Sequence, residues 1–259
     1  MFFWLKIYLV MMTFFIFVVI TDVVKSDELT DIAVKNKDEY ILNHSTFTIR
    51  YDTEEKIPVL ISWNLSKCFL GDIKRIGGFI QDKLLPKNFV RVLSSDYTNS
   101  GYDRGHICPS GDRTRIKEEN KETFVMTNIV PQISVTNRKV WYYFEQWLRS
   151  LVKTTDKELY IISGVFQTKG KISKKEIGVP ENLFKCVLII DDGDEDLKRI
   201  NARETDTQSL CIMVTNDKTN INNITNDWKD YIIDLDTIET LINYDLFNKI
   251  HKDIIIKEY

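Results

Sequence analysis

Residues 102–114 read YDRGHICPSGDRT, and this stretch sets Asp103, Arg104 and His106 around one glycine. The chain has three histidines, and this one stands among polar residues rather than in an apolar run. A neutral imidazole, with an ordinary pKa of about 6.5, suits the removal of a proton from water. The stretch therefore makes His106 a candidate general base, and a histidine that only caps a turn is the alternative.

The segments that follow predict two strands and a helix around this stretch. A strand that ends at His106 is followed by TFVMTNIVPQ, which predicts a returning strand over residues 124–130. The next segment, NRKVWYYFEQWLRSLV at residues 137–152, predicts a helix. Its apolar residues recur every three or four positions: Trp141, Phe144, Leu148 and Leu151. We therefore expect a ββα unit with His106 at the end of its first strand.

The rest of the chain predicts a sheet with few helices. Short runs rich in β-branched and aromatic residues are FTIRY, VLISWNL, LYIISGV, CVLII and LCIMV. One further helix is predicted by DTIETLINYDLFNKI at residues 236–250. Because strands dominate and do not alternate with helices, the sequence predicts an α+β fold with a mixed or antiparallel sheet. With 43% hydrophobic residues and no repeat after residue 44, we expect a single globular domain over residues 44–259.

Carboxamide and carboxylate side chains follow His106 in positions that suit a cation. Asn128, Gln132 and Asn137 lead into the predicted helix, and Glu145 lies two turns along it. Oxygen ligands of this kind suit Mg²⁺, which keeps several of its own waters and needs few protein ligands. Zinc fits poorly, because the cysteines and histidines lack the paired spacing of a zinc site.

Several motifs in order along the chain resemble one family. Besides the stretches already quoted they are SWNL, RIGGFIQDKLLP, YIISGV, VPENLFK and TIETL, together with Asn137, Trp141 and Glu145. Over roughly residues 44–250 the chain resembles the sugar-non-specific DNA/RNA endonucleases of the ββα-metal superfamily, the family that includes mitochondrial endonuclease G. Such an ordered set of motifs is far more specific than the four residues DRGH alone.

The resemblance implies a role for each residue of the site. It implies that His106 is the general base and that Asn137 binds the metal directly. Glu145 is implied to bind the metal through water and to take part in catalysis. Arg104 and Arg75 are implied to contact the phosphate around the transition state.

Other residues are implied to support the site or to contact the substrate. Asp103 is expected to orient its neighbours, and Asn128 and Gln132 match positions that support the site. Arg138 stands where the family often has glutamine, and we expect it to contact the substrate. Arg113 follows the DRGH motif closely and is expected to track a nucleic-acid backbone.

The function that the resemblance implies is a metal-dependent endonuclease that uses Mg²⁺ or Mn²⁺ on DNA and RNA and leaves 5′-phosphate ends. Because the net charge is −3, a nucleic acid would have to be met by a local basic surface. Contacts to phosphate and sugar would give little sequence preference. A nucleic-acid-binding protein that has kept the fold without the reaction, and a hydrolase of smaller phosphodiesters, are the alternatives. The resemblance also allows a homodimer, which the sequence leaves open.

The amino terminus predicts export. Residues 1–20 carry one lysine and a long apolar run, which is typical of a signal peptide with cleavage near Ser26. This interpretation gives a signal peptide over residues 1–26, an N-terminal extension over residues 27–43 and a secreted nuclease domain over residues 44–259. An uncleaved signal anchor in the membrane is the alternative.

Glycosylation triplets and an even cysteine count agree with a secretory route. Asn43, Asn64 and Asn223 each open an N-x-S/T triplet. The chain has four cysteines, and sequence alone leaves three pairings open. If CVLII and LCIMV form an antiparallel hairpin, Cys186 and Cys211 face each other across it.

Overall fold

One large sheet organises the protein. The computed structural model describes residues 29, 38–250 and 257–258. Its strands are β1 (Glu39–Asn43), β2 (Thr48–Asp52), β3 (Ile57–Leu65), β4 (Asp103–His106), β5 (Ile129–Gln132), β6 (Lys157–Ile172), β7 (Ile177–Asp191), β8 (Gln208–Thr215), β9 (Ile232–Ile233) and β10 (Lys257–Glu258). Within this part of the chain, eight strands form a sheet in the order β1-β2-β3-β6-β7-β8-β10, with β9 also paired to β8. Neighbours are antiparallel except for the parallel pair β8 and β10. The predicted α+β fold is confirmed.

The helices are short. They are α1 (Lys117–Glu122), α2 (Tyr142–Thr154), α3 (Asp196–Asn201) and α4 (Leu235–Ile242). A π-helical turn, Thr136–Trp141, leads directly into α2. Short 3₁₀ turns lie at Lys67–Phe69, Ser94–Tyr97, Ser110–Asp112, Met126–Asn128, Lys218–Asn223 and Trp228–Tyr231.

The central strands are buried on both faces, so the sheet separates two apolar clusters. Leu159 and Ile161 of β6 belong to the cluster that contains the buried face of α2. Tyr160 and Ile162, which alternate with them, belong to the cluster that contains residues of α3 and α4. Successive side chains of a strand point to opposite faces, and this alternation therefore gives the sheet a separate helical layer on each side.

The predicted ββα unit lies on the α2 side of the sheet. β4 and β5 form a separate antiparallel pair in which His106 lies opposite Ile129 and Asp103 opposite Gln132. The chain then passes through the π-helical turn into α2. The returning strand begins at Ile129 rather than at residue 124, because Met126–Asn128 forms a 3₁₀ turn before it.

The sheet begins earlier than the predicted domain boundary. β1 pairs with β2 along its whole length, from Glu39 opposite Asp52 to Asn43 opposite Thr48. Leu42 is buried in the same cluster as the face of α2. Among the described residues the sheet therefore includes Glu39–Asn43, which lie before the predicted domain boundary at residue 44, and the division into domains stays a prediction.

The helix near the carboxyl end, α4, is shorter than the helix that the apolar pattern predicted over residues 236–250. Asp234 accepts a hydrogen bond from the backbone N–H of Thr237 at 2.7 Å and caps the start of α4. Asn243 adopts a left-handed conformation with φ of 51°, which ends the helix at Ile242. The prediction of a helix over residues 236–250 is therefore right for the first half of that segment.

The expected cysteine register is present. Cys186 of β7 lies directly opposite Cys211 of β8. Both side chains are buried, and both are free thiols. The connection between the two strands, read from sequence as a polar loop, contains α3.

The three glycosylation triplets differ in access. Asn43 and Asn223 are exposed. Asn64 is buried, and its Nδ2 donates to Glu158 Oε1 at 2.5 Å. The folded chain therefore does not present Asn64 for modification, although its triplet matches the signal.

The predicted signal peptide, residues 1–26, lies outside the described residues. In the part that the structure covers, no helix combines the length and the apolar character that a membrane crossing requires.

Candidate active site

His106 ends β4 with its imidazole between two aromatic rings. The ring centroids of Phe79 and Phe124 lie 5.5 Å and 4.9 Å from that of His106. Its Nε2 is shielded from solvent and has no hydrogen-bond partner. Burial, together with the nearby Arg75 guanidinium, lowers the pKa of His106 to about 3. The pKa of His106 thus lies below the ordinary value expected from the sequence, because residues distant along the chain pack against the ring and bury its Nε2.

Gln132 of β5 lies against Gly105 of β4. A methyl group on Gly105 would come within 2.1 Å of Gln132 Cδ, so the close approach depends on a residue without a side chain. Gln132 is fully buried, and neither polar atom of its amide has a hydrogen-bond partner among the described residues. Buried amide atoms in this state mark a place where water or a ligand completes the hydrogen bonding.

Asp103, at the start of β4, holds the residue expected to bind metal. Its Oδ2 accepts a hydrogen bond from Asn137 Nδ2 at 2.9 Å. Arg138 donates to both carboxylate oxygens, from Nε at 2.8 Å and from Nη2 at 2.6 Å. Partial burial opposes the effect, but these hydrogen bonds hold the pKa of Asp103 below its ordinary value. With Nδ2 bound, the Oδ1 atom of Asn137 is left without a hydrogen bond from the described residues.

Two arginines lie beside the rings that enclose His106. The Arg75 guanidinium lies 4.8 Å from the Phe124 ring centroid, and the Arg104 guanidinium lies 5.9 Å from the Phe79 ring centroid. Arg104 is held by two hydrogen bonds, at 2.9 Å and 2.6 Å, to one backbone carbonyl. The fold therefore brings the permanent positive charge of Arg75 close to the imidazole and places that of Arg104 beside the Phe79 ring.

Glu145 lies on α2 within a network of charges. Its Oε1 is 3.3 Å from Lys185 Nζ, and its Oε2 is 3.9 Å from Arg149 Nη1. Arg149 Nη1 also donates to Asp112 Oδ1 at 2.6 Å. Burial raises the pKa of Glu145, while the positive charges of Lys185 and Arg149 act in the opposite direction. The carboxylate is thus held from two sides.

Asn128 fixes the backbone that follows His106. Its Oδ1 accepts a hydrogen bond from Cys108 N at 2.9 Å, and its Nδ2 donates to the carbonyls of Cys108 and Thr123 at 2.9 Å and 2.7 Å. Asn128 is fully buried, and the bonds formed by its amide agree with a supporting role.

Arg113 does not fit a substrate contact. Its guanidinium is fully buried and lies 4.4 Å from the Phe69 ring centroid. It donates to the side chain and carbonyl of Thr46 and to the carbonyls of Asn64 and Asp112. The expectation that Arg113 follows a nucleic-acid backbone is corrected, because its donors are used inside the protein.

Comparison with known families decides the classification. A family model of DNA/RNA non-specific endonucleases matches residues 26–253. The chain belongs to the DNA/RNA non-specific endonuclease family. The resemblance read from the sequence is confirmed, and the protein is a nuclease of this family.

The relatives of this nuclease are themselves nucleases. The protein named Nuclease from Nostoc sp. (strain PCC 7120) is 36% identical over 217 residues, which cover 84% of this chain and 76% of that protein. The mitochondrial nuclease EXOG of Xenopus laevis is 29% identical over 180 residues, which cover 62% of this chain and 48% of that protein. The match thus spans about half the length of EXOG.

The fold of the nuclease is shared with a solved structure. A chain in the crystal structure of the EndoG/EndoGI complex aligns with a TM-score of 0.73 at 20% identity, and the alignment covers 90% of this chain and 95% of that one. At this identity the likeness describes the fold, which is that of endonuclease G.

The donor atoms at the site fit the divalent metal on which this nuclease family depends. Asn137 offers an amide oxygen without a hydrogen bond, and Glu145 offers a carboxylate. Within the described ranges, no cluster of three or more His, Cys, Asp or Glu side chains could hold a metal. Few protein oxygens and several waters are the environment that Mg²⁺ prefers.

Two members of this network, Arg149 and Lys185, were not predicted as site residues from the sequence. Arg149 could have been found, because it lies four positions after Glu145 and therefore on the same face of α2. The sequence pattern at Lys185 is harder to recognise. On one face of the buried strand β7, this lysine stands between two apolar residues, Leu183 and Val187.

Proposed function

We propose that this nuclease hydrolyses phosphodiester bonds within DNA and RNA, with His106 as the general base and one Mg²⁺ as cofactor. The observation that carries the proposal is the state of His106, a neutral imidazole whose Nε2 is buried and has no hydrogen-bond partner. A neutral imidazole carries a proton on only one ring nitrogen, so the other nitrogen can accept a proton from water.

Substrate binding would make His106 a stronger base. In the free protein, burial and the charge of Arg75 hold its pKa down. A phosphate bound beside Arg75 brings negative charge to the same place and opposes both effects. The proton affinity of the imidazole therefore rises when a phosphodiester and its attacking water are present.

The residues of β4 and α2 would hold the cation. Asn137 contributes its amide oxygen directly, with Asp103 fixing the amide, and Glu145 contributes its carboxylate through water. When bound, Mg²⁺ or Mn²⁺ stabilises the negative charge that develops on the phosphate and on the departing 3′ oxygen. Departure of that oxygen leaves a 5′-phosphate end on the product.

Arginines would bind the backbone of the substrate. Arg75 and Arg104 lie beside the two aromatic rings that pack against His106 and can bind phosphate oxygens in the transition state. Arg138 has a side chain that is 69% exposed while it binds Asp103, and it is the outermost of the three. Contacts to phosphate rather than to base edges give little sequence preference.

We further propose that the nuclease is secreted after removal of residues 1–26. The apolar amino terminus and the two exposed triplets, Asn43 and Asn223, support this route. The relatives include mitochondrial nucleases, so the route needs its own test. Amino-terminal sequencing of protein from the medium of expressing cells should give a residue near Asp27. A homodimer remains a prediction that size-exclusion chromatography tests.

Cleavage of closed circular plasmid and of RNA tests the catalytic proposal. The wild-type protein should cut both polymers with Mg²⁺ and neither with a chelator. His106→Ala should lower kcat by about 10² to 10⁴, the usual effect of losing a general base. His44→Gln is the matched control, because His44 is bound to Asp82 outside the site and its loss should leave kcat near the wild-type value.

Each outcome has a definite meaning. Activity of His106→Ala near that of the wild type would refute the assignment of the base. A folded wild-type protein that binds DNA without cutting it would instead support the catalytically silent binding protein. Cutting of dinucleotides but not of polymers would identify a hydrolase of small phosphodiesters.

A further inference from the structure

A lysine occupies a core position of the central sheet. Lys185 lies on β7, and it is 1% exposed. Its neighbours on the same face of the strand, Leu183 and Val187, belong to the apolar cluster that also contains the buried face of α2. A buried charge lowers stability unless it is paired and hydrogen-bonded, so a lysine at this position requires a specific environment.

The ammonium group of Lys185 is enclosed by aromatic rings. Its Nζ lies 5.0 Å from the ring centroid of Trp63 and 5.2 Å from that of Trp141. Both distances are within the range of a cation–π interaction. Trp63 lies on β3 and Trp141 ends the π-helical turn before α2, so the rings hold the charge between the sheet and the helix.

The same ammonium group contacts both catalytic parts of the ββα unit. It lies 3.3 Å from Glu145 Oε1 on α2. It also lies 3.4 Å from the carbonyl oxygen of Ile107, the residue directly after His106. One rigidly enclosed cation therefore connects the helix that carries Glu145 to the strand end that carries His106.

We propose that Lys185 is a positioning residue of the active site, which fixes the Glu145 carboxylate relative to the strand end of His106. The inference rests on the proposed role of Glu145 in holding the cation. Lys185 does not touch the substrate; it acts through Glu145. Apolar residues of similar volume often replace both members of a buried ion pair without loss of stability, so stability alone does not require the charged pair of Lys185 and Glu145.

Binding of Mn²⁺ to the apoprotein, without nucleic acid, tests this proposal independently of activity. Lys185→Met keeps most of the length of the unbranched side chain and removes its charge. We expect Mn²⁺ affinity and kcat to fall about 10- to 100-fold, which is the usual effect of losing a partner of a metal-holding residue, and KM for DNA to change little. Unchanged Mn²⁺ affinity and kcat would overturn the proposal.

A double variant shows whether Lys185 acts through Glu145. In the Glu145→Gln background, Lys185→Met should cause no further loss of Mn²⁺ affinity, because the group it positions is already neutral. This double variant contains no unpaired carboxylate and therefore keeps the test valid if the single variant does not fold. An equal loss in both backgrounds would show that Lys185 acts elsewhere and would refute the inference.

Two further variants separate the possible failures. Val187→Ala disturbs the packing of the same strand face without a change in charge, and it should lower Tm while leaving Mn²⁺ affinity unchanged. A loss of affinity in Val187→Ala equal to that in Lys185→Met would show a merely structural role for Lys185 and overturn the proposal. If Glu145→Gln alone bound Mn²⁺ as the wild type does, the proposed role of Glu145 would fail instead, and the positioning role would fail with it.

Discussion

At the scale of single residues, the pKa of His106 couples the site to the stability of the fold. An unfolded histidine has a pKa of about 6.5, whereas burial lowers the pKa of His106 in the folded protein to about 3. Between these values the unfolded chain binds a proton that the folded chain does not. The free energy of unfolding therefore falls as the pH drops through this window, and the imidazole has no such effect above it.

Replacement of His106 by leucine should remove this dependence. We expect the wild type to lose roughly 1 kcal/mol of unfolding free energy more than His106→Leu for each pH unit below about 6.5. Urea unfolding of both proteins between about pH 7 and about pH 5 measures the difference. Parallel pH profiles for the two proteins would mean that the folded imidazole titrates normally.

We expect Asp103 to affect metal binding and kcat through its hydrogen bond with Asn137 rather than through its ion pair with Arg138. Asp103→Ala removes the acceptor that holds the Asn137 amide, and we expect Mn²⁺ affinity and kcat to fall about 10- to 100-fold. Arg138→Gln is the matched control: it removes the other partner of Asp103 and should leave Mn²⁺ affinity within a few-fold of the wild type. Isothermal titration calorimetry distinguishes the two variants, and equal losses would contradict this assignment.

At the scale of elements, the pairing of β4 with β5 depends on Gly105. Gly105→Ala would drive a methyl group into Gln132, and we expect a loss of about 1 to 3 kcal/mol in unfolding free energy together with reduced cleavage. Adding Gln132→Ala should restore part of the lost stability, because it removes the atoms that clash. Chemical denaturation of the single and double variants measures this rescue, and additive losses would locate the strain elsewhere.

The periodicity of apolar residues along the chain was enough to predict most helices and strands. It also predicted the ββα unit that contains His106 and Glu145. The apolar spacing of residues 137–152 predicted the helix that carries Glu145, and the β-branched runs predicted the central strands. The ends of the helices and strands were harder to predict, because they depend on the backbone conformation of a few residues. Examples are the left-handed Asn243 and the 3₁₀ turn before Ile129.

At the scale of the whole molecule, Arg113 ties distant segments together. Its guanidinium donates to the carbonyl of Thr46 before β2 and to that of Asn64 in β3, which are 67 and 49 residues away along the chain. Such long-range contacts have no signature in the local sequence, which is why Arg113 looked like a surface residue. The enclosure of His106 by Phe79 and Phe124 escaped prediction for the same reason.

Arg113 and Arg75 should therefore respond in opposite ways to mutation. Arg113→Met leaves three buried carbonyls without their donor, and we expect unfolding free energy to fall by about 3 kcal/mol with kcat per folded molecule preserved. Arg75→Ala should lower kcat/KM at least 10-fold with little change in Tm, because Arg75 is exposed and lies beside the site. Thermal melts and cleavage rates on the same preparations would show whether the two effects separate.

Successive side chains of β7 point to opposite faces of the sheet, so neighbouring residues of this strand can report on different parts of the nuclease. Lys185 points into the cluster beneath the ββα unit, and the next residue, Cys186, points into the cluster on the opposite face. Adjacent positions on one strand therefore monitor different layers. A spectroscopic label in the layer of Cys186 would report melting of the sheet. A second label in the layer of Lys185 would report changes at the phosphate-cleaving centre. Loss of structure and loss of activity could then be timed separately in one molecule.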